Sequence, residues 1–143
     1  MRNWMTGLTL VALASVPALA EGDAHADAAK AYRIETSKAP LKVKKGEKGQ
    51  ARVAVVPRSD AHVSPDAPLT MIVSAGPALD LPKPKLGRTD AKPTEVKGVE
   101  FEVPFVGKQP GKDELKAQMT FFICTEKLCE RQKREVALAV VVE

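Results

Sequence analysis

The chain has 143 residues, a formal net charge of +4 at pH 7 and few aromatic residues, 4% of the total. One domain is expected at this length, with enough chain to bury a core without help from disulfides. The scarcity of aromatic side chains argues against a base-stacking surface for nucleic acid. The mildly basic balance is typical of a solvated surface, with contact to an anionic envelope surface as the alternative.

The first twenty residues are typical of a secretory signal peptide. The basic residue Arg2 precedes an apolar run over residues 8–20, which closes on Ala18-Leu19-Ala20. The run is short for a membrane span, which needs about 20 apolar residues, although an uncleaved anchor remains the alternative. We therefore expect cleavage after about Ala20, a periplasmic or secreted location, and no stable membrane span in the mature chain.

The next residues, 21–31, are Ala-rich and polar without a clear apolar stripe. They predict a flexible leader, with a short helix as the alternative. From Tyr32 onward, short apolar segments alternate with turn residues rich in Gly and Pro. Strands are predicted at residues 32–37, 41–43, 51–57, 69–75, 99–107, 114–124 and 134–143, with at most one brief further strand at 79–81.

The last third of the chain carries the clearest pattern, because apolar and polar residues alternate there with the period of a half-buried antiparallel strand. The residues predicted to face inward are Val99, Phe101, Val103, Phe105, Leu115, Ala117, Met119, Phe121, Ile123, Val136, Leu138, Val140 and Val142. By the same alternation, Phe122 and Cys124 face outward. About seven strands with regular turn signals predict an all-β, immunoglobulin-like antiparallel sandwich over residues 32–143.

The segment FFICTEKLCE holds both cysteines of the chain, Cys124 and Cys129. If the flanking strands pair as a hairpin, their Cα atoms could approach to about 5.5 Å, as a disulfide requires. An oxidising compartment would let that bond persist. Two interpretations stay open: a structural clip of about 2 kcal/mol, given the small loop, or an exposed disulfide that exchanges with a partner thiol. Lys127 and Arg131 would favour a thiolate here, and neighbouring glutamates would oppose it.

The segment 121–129, followed by the strand at 136–142, resembles the end of the N-terminal periplasmic domain of DsbD and its stand-alone relatives, the disulfide-bond corrector domains. In that family, a C-terminal hairpin carries an aromatic strand, a spaced cysteine pair and a closing strand on an immunoglobulin-like sandwich. The resemblance implies that Cys124 and Cys129 are the catalytic, exchanging pair. It also implies that the chain passes electrons to or from thioredoxin-like or other envelope thiol proteins. We expect a monomer without a cofactor. The chain differs from the family in having Glu130-Arg131-Gln132 where Pro-Pro is common, and no aromatic residue in the stretch 87–93.

Few other residues suggest chemistry. His62 and His25 could join the cysteines as four zinc ligands, but the spacing lacks a zinc signature, so no metal site is expected. His62 is predicted to be a solvated loop residue, or a base beside the thiols if its loop folds over the hairpin. Spacing does not select an acid/base partner among Asp60, Asp66 and Asp90. The functional hypotheses are therefore periplasmic thiol–disulfide exchange, or a non-catalytic secreted binding or assembly domain with a structural hairpin disulfide.

Overall fold

The computed structural model describes residues 20–143, so the predicted signal peptide lies outside the described residues apart from Ala20. In the described part of the chain, one helix precedes eleven strands. The elements are α1 (Ala20–Ala29), β1 (Tyr32–Thr36), β2 (Leu41–Val43), β3 (Lys48–Pro57), β4 (His62–Val63), β5 (Thr70–Ala75), β6 (Leu79–Asp80), β7 (Lys85–Gly87), β8 (Ala91–Pro93), β9 (Val99–Gly107), β10 (Gly111–Cys124) and β11 (Cys129–Val142), with a 3₁₀ turn at Arg88–Asp90.

The strands form two sheets that enclose the core. The five-stranded sheet has the order β1-β3-β9-β6, and β8 also pairs with β9. The six-stranded sheet has the order β2-β11-β10-β5-β7, and β4 also pairs with β10. All pairs are antiparallel except β2, which runs parallel to β11. These orders match A-B-E-D and A′-G-F-C-C′ of an immunoglobulin sandwich, which confirms the predicted fold class.

The core lies where the predicted alternation of apolar and polar residues places it. Along β10, the inward residues Leu115, Met119, Phe121 and Ile123 are completely buried, and Phe101 on β9 is buried as fully. Each large side chain removed from water in this way stabilises the fold by about 1.5–3 kcal/mol. The inward faces of β9 and β10 therefore form the centre of the sandwich.

The segment predicted to be a flexible leader, with a short helix as the alternative, forms a helix that packs against the domain. Ala24 and Ala28, four residues apart on one helical face, are buried together with Ala31. The Arg58 guanidinium donates two hydrogen bonds of 3.0 Å to the Asp27 carboxylate and a further pair to Asp60. These hydrogen bonds lower the pKa of both carboxyls. Small alanine side chains let the helix approach the sheets closely. Because the buried residues are alanines, the sequence has no stripe of large apolar residues that would predict the helix.

Three of the short strands, β4, β7 and β8, were not predicted. Strand β4 lies in a segment expected to be a loop, and β7 and β8 lie in a stretch expected to hold at most one brief strand. Two or three residues are too few to display a period of two, so these strands depend on pairing with distant neighbours. Strand β11 also begins five residues earlier than predicted, at Cys129.

Gly98 stands where the chain enters β9 against the backbone of β3. Its amide donates to Thr94 Oγ1 at 3.0 Å, and its carbonyl accepts from Thr94 N at 3.1 Å. A Cβ atom at this position would lie 2.1 Å from the Val55 carbonyl oxygen. The turn that leads into β9 therefore requires glycine at this position.

Replacing Gly98 by Ala should lower the free energy of unfolding by about 1–3 kcal/mol, because the methyl group overpacks the β3–β9 contact. Urea denaturation measures this change. Gly87→Ala is the matched control, since a Cβ there meets no atom within 4 Å and should change stability by less than about 0.5 kcal/mol. Equal effects of the two substitutions would contradict the close approach at Gly98.

The Arg58 contacts predict a pH dependence of helix docking. Because the folded-state pKa values of Asp27 and Asp60 are lowered, their stabilisation is present above the unfolded value of about 3.9 and is lost as pH falls through the folded values. Arg58→Gln should speed amide exchange in α1 at neutral pH, and the difference from the unsubstituted chain should shrink as the pH falls through the lowered folded-state pKa values of the two carboxyls. Arg33→Gln, which removes an exposed pair with Glu35, is the control and should leave α1 unaffected. Unchanged α1 exchange in Arg58→Gln would show that the alanine contacts alone hold the helix.

Candidate functional site

The candidate site is the hairpin end, which we define as residues 121–132 of β10, β11 and their turn. Fourteen residue pairs join β10 to β11, from Gly111 opposite Val142 to Cys124 opposite Cys129. Strand β5 pairs with β10 only as far as Thr120. The hairpin therefore extends past β5, and its last residues are paired on that side by the two residues of β4.

The two cysteines form a disulfide across the mouth of the hairpin, with their Cα atoms 3.9 Å apart. The next pair outward is hydrogen-bonded, because Thr125 N donates to the Leu128 carbonyl at 2.8 Å. Cys124 and Cys129 are consequently a non-hydrogen-bonded pair, the kind in which opposite side chains lie closest. The amides of Lys127 and Leu128 also donate to Thr125 Oγ1, which fixes the turn between the cysteines.

The two cysteines differ in exposure: Cys124 faces the outer side of its strand, as the alternation predicts, but it is buried. Cys124 is only 3% exposed, whereas Cys129 is exposed. The cause is β4, which brings His62 directly opposite Cys124. Cys124 is thus enclosed between His62 and Cys129, and Cys129 is the cysteine that a partner can approach.

His62 is exposed and shares a row with the disulfide. Residues opposite each other in register project from the same face of a sheet, so His62, Cys124 and Cys129 lie side by side on the outer face. Strand β4 therefore brings His62 beside the cysteines. This is the position that His62 would need in order to act as a base there. The sequence analysis gave this proximity only as the alternative to a solvated loop residue, because the proximity depends on strand β4, which was not predicted.

His25 does not join this row. Its Nδ1 lies 3.2 Å from Glu130 Oε1, and Glu130 pairs with Ile123, on the opposite face of the hairpin from the disulfide. Among residues 20–143, no group of three or more His, Cys, Asp or Glu side chains is placed to hold a metal.

The candidate aspartates have structural contacts. Asp60 accepts hydrogen bonds from Arg58, and Asp90 accepts from the Gly87 amide at 2.8 Å and from Lys83. The Gly87 hydrogen bond is the main reason that the pKa of Asp90 is lowered. Asp66 is exposed, and the structure does not bring it into the cysteine row.

On the inner face of the hairpin end, the positions that β11 contributes, Glu130 and Gln132, are polar, which the sequence analysis missed. The Tyr32 hydroxyl donates to Gln132 Oε1 at 2.9 Å, and the Tyr32 ring meets Phe121 edge-on at 5.0 Å. Burial raises the pKa of Tyr32. Glu130 Oε2 is buried without a hydrogen-bond partner. The Tyr32 contacts hold the hairpin end against β1, and the contact between His25 and Glu130 holds it against α1. The sequence does not predict these contacts, because Gln132 lies in the charged stretch ERQKRE, where a buried residue is not expected.

An open cleft of about 400 Å³ lies beside the hairpin end. The Arg88 guanidinium closes one side by donating to the Ser64 carbonyl at 3.1 Å and to the Ala67 carbonyl. The lining mixes apolar surface with two cations, a composition that suits a side chain or a short peptide segment. The lining residues are His62, Val63, Ser64, Pro65, Arg88, Pro93, Thr94, Lys97, Gly98 and Val99.

Residues 20–143 contain no helix that is long and apolar enough to span a membrane.

No family model matches this chain, and no curated protein matches it. Its fold is similar to part of the native alpha-2-macroglobulin of E. coli, with 13% identity and a TM-score of 0.45 over 77% of this chain, which spans 6% of that protein. It is also similar to AggA, the major subunit of aggregative adherence fimbriae type I from Escherichia coli, with 13% identity and a TM-score of 0.45, covering 78% of this chain and 94% of AggA. A conjugative transposon lipoprotein from Bacteroides eggerthii is similar over 76% of this chain and 96% of its own length, with 11% identity and a TM-score of 0.40. The order of the strands, and not these similarities, defines the immunoglobulin-like fold.

Proposed function

We propose that the chain is a non-catalytic binding or assembly domain of the periplasm or cell exterior, with a structural disulfide between Cys124 and Cys129. The observation that carries this proposal is the position of the bond at the end of the long hairpin that neither β5 nor β2 reaches, where the two-residue strand β4 is the neighbouring strand. Strand ends fray where neighbouring strands stop, and a covalent link opposes that fraying. The disulfide itself and the predicted signal peptide support a location outside the cytoplasm.

The burial of Cys124 supports a bond that stays closed. A partner thiolate attacking exposed Cys129 would release the sulfur of Cys124 as the leaving group. Cys124 is 3% exposed, and an enclosed site disfavours a thiolate, which makes it a poorer leaving group. The bond is thus placed better for holding the hairpin than for rapid exchange.

The surroundings of the hairpin end support binding. Loops at the ends of immunoglobulin sandwiches commonly carry recognition sites because the sheets hold them rigidly. Here the cleft beside His62, the half-buried Phe122 and the exposed Cys129 lie together. The disulfide and the Tyr32–Gln132 hydrogen bond hold these groups in place.

Thiol–disulfide exchange, implied by the resemblance to the DsbD N-terminal domain, is the second candidate function. The exposure of Cys129 favours it. A partner thiolate would attack Cys129 and form a mixed disulfide, releasing Cys124 as a thiolate that takes up a proton. A second partner thiolate would then resolve the mixed disulfide and leave the pair reduced. His62, beside Cys124 in register, is the residue placed to supply that proton.

A structural disulfide should contribute measurably to stability. Closing the small loop stabilises by about 2 kcal/mol in the chain-entropy model, so reduction by a phosphine should lower Tm by roughly 5–10 °C. Amide exchange should accelerate first at residues 121–124 and 129–132. The paired variant Cys124→Ala and Cys129→Ala is the control, because reductant should not change its Tm. A Tm that reduction leaves unchanged in the unsubstituted chain would contradict the structural role.

The reduction potential and the reactivity of single variants separate the two functions. A potential below about −300 mV is expected for a structural bridge, and one above about −250 mV would support exchange. In Cys124→Ser the remaining Cys129 is exposed, so glutathione disulfide should modify it at least about tenfold faster than it modifies Cys124 in Cys129→Ser. Equal rates in the two variants would contradict the asymmetry in exposure. Under the exchange function, Cys124→Ser is therefore the variant that should trap mixed disulfides with envelope proteins.

A further inference from the structure

The outer faces of the two sheets differ sharply in charge. On the six-stranded sheet, the strand register places six basic residues and two acidic residues outward. The basic residues are Lys42, Lys85, Lys112, Lys116, Arg131 and Lys133, and the acidic ones are Glu114 and Glu135. We call this surface the basic face. Its net charge of four equals the formal net charge of the whole chain, +4.

The outer face of the five-stranded sheet is neutral by the same count. Its strands place four basic and four acidic residues outward. Three of the basic residues there form ion pairs with acidic neighbours, at distances from 2.8 to 3.1 Å. The pairs are Arg33 with Glu35, Arg52 with Glu100, and Lys92 with Glu102.

The cations of the basic face lack such neutralisation. Each lies opposite an uncharged residue in register: Lys133 opposite Thr120, Arg131 opposite Phe122, and Lys85 opposite Ile72, for example. Among the described residues of this face, the ion pair is Lys116 with Glu114, at a long 3.8 Å. Uncompensated like charge on one face destabilises a fold through self-repulsion, so its concentration here calls for an anionic partner.

We propose that the basic face docks the chain on the surface of a bilayer that carries anionic headgroups. The face is extended, because β10 and β11 each run for fourteen residues, roughly 45 Å at strand rise. Its cations are spread along that length, as suits a plane of phosphates rather than a compact epitope. Near the bilayer surface, each basic residue contributes about 1 kcal/mol to binding.

Composition favours a lipid surface over an acidic protein. Protein interfaces are enriched in Arg and depleted in Lys, whereas five of the six cations here are Lys. Such interfaces also concentrate large apolar side chains at their centre. Among the described residues of this face, Ile72 is the one large apolar side chain that is exposed, at 53%. This proposal names the partner of the binding domain proposed above and so rests on it. The disulfide experiments do not test it, because five of the six cations lie outside the hairpin end that reduction should loosen.

The test is co-sedimentation of the purified chain with large unilamellar vesicles. Vesicles of phosphatidylcholine alone are compared with vesicles that contain equal parts of phosphatidylglycerol, at about 0.15 M and about 1 M salt, where screening lengths are roughly 8 and 3 Å. Binding should require phosphatidylglycerol and should fall at least about tenfold at high salt. Any binding through the apolar residues 8–20 would persist with neutral vesicles and at high salt. These two conditions therefore distinguish it from binding through the basic face.

Two matched variants assign the binding to the face. Lys85→Gln with Lys133→Gln removes two charges from the basic face and should weaken vesicle binding at least about tenfold. Lys48→Gln with Lys92→Gln removes two charges from the five-stranded sheet and should change it less than about twofold. An equal loss in both variants would overturn the proposal, because net charge alone would then explain adsorption. Binding to polyglutamate without binding to anionic vesicles would also overturn it, in favour of an acidic protein partner.

Discussion

The register of the β10–β11 hairpin is the constraint on which the rest of the structure depends. Its fourteen pairs fix which side chains enter the core and which face outward. A slip by one residue would exchange the two faces, placing Lys116 and Gln118 in the positions of Ala117 and Met119. The same register sets Cys124 opposite Cys129 and gathers the cations of the basic face. Core, disulfide and surface charge are thus consequences of one pairing.

The hairpin end shows how this pairing is kept where the sheet stops supporting it. Past β5, the inner positions of β11 are polar, so hydrophobic burial by that strand no longer holds the register. Three other contacts replace it: the disulfide across the mouth, the β4 pairing at His62, and the hydrogen bond from Tyr32 to Gln132. A polar inner face is tolerated because α1 and Tyr32 cover it and Gln132 is satisfied there. Such a combination gives a rigid end that is not part of the main core.

How far the sequence predicted this structure depends on the range of the interactions involved. The alternation in β9 and β10 is local, and the predicted inward residues from Val99 to Ile123 are buried as expected. The burial of Cys124 depends on His62 from a distant segment, so alternation alone assigned the side chain to the outer face without revealing its cover. Helix α1 depends on alanines and on the Arg58–Asp27 contact, neither of which produces an apolar stripe. The disulfide pairing was predictable because the chain has two cysteines, and a predicted hairpin with four residues between them brings them opposite each other.

The difference in charge between the outer faces of the two sheets is also set by strand register, and the order of residues along the chain does not show it directly. Along the chain, Lys and Arg are interspersed with acids, and the composition suggests a uniform, solvated surface. The period of two sorts Arg131 and Lys133 to the outer face and Glu130 to the inner one. The exposed Cys129 lies on the same outer face as these cations. A chain docked through the basic face would therefore hold Cys129 close to the bilayer surface. This orientation of the domain is the same whether the disulfide is structural or exchanges with a partner thiol.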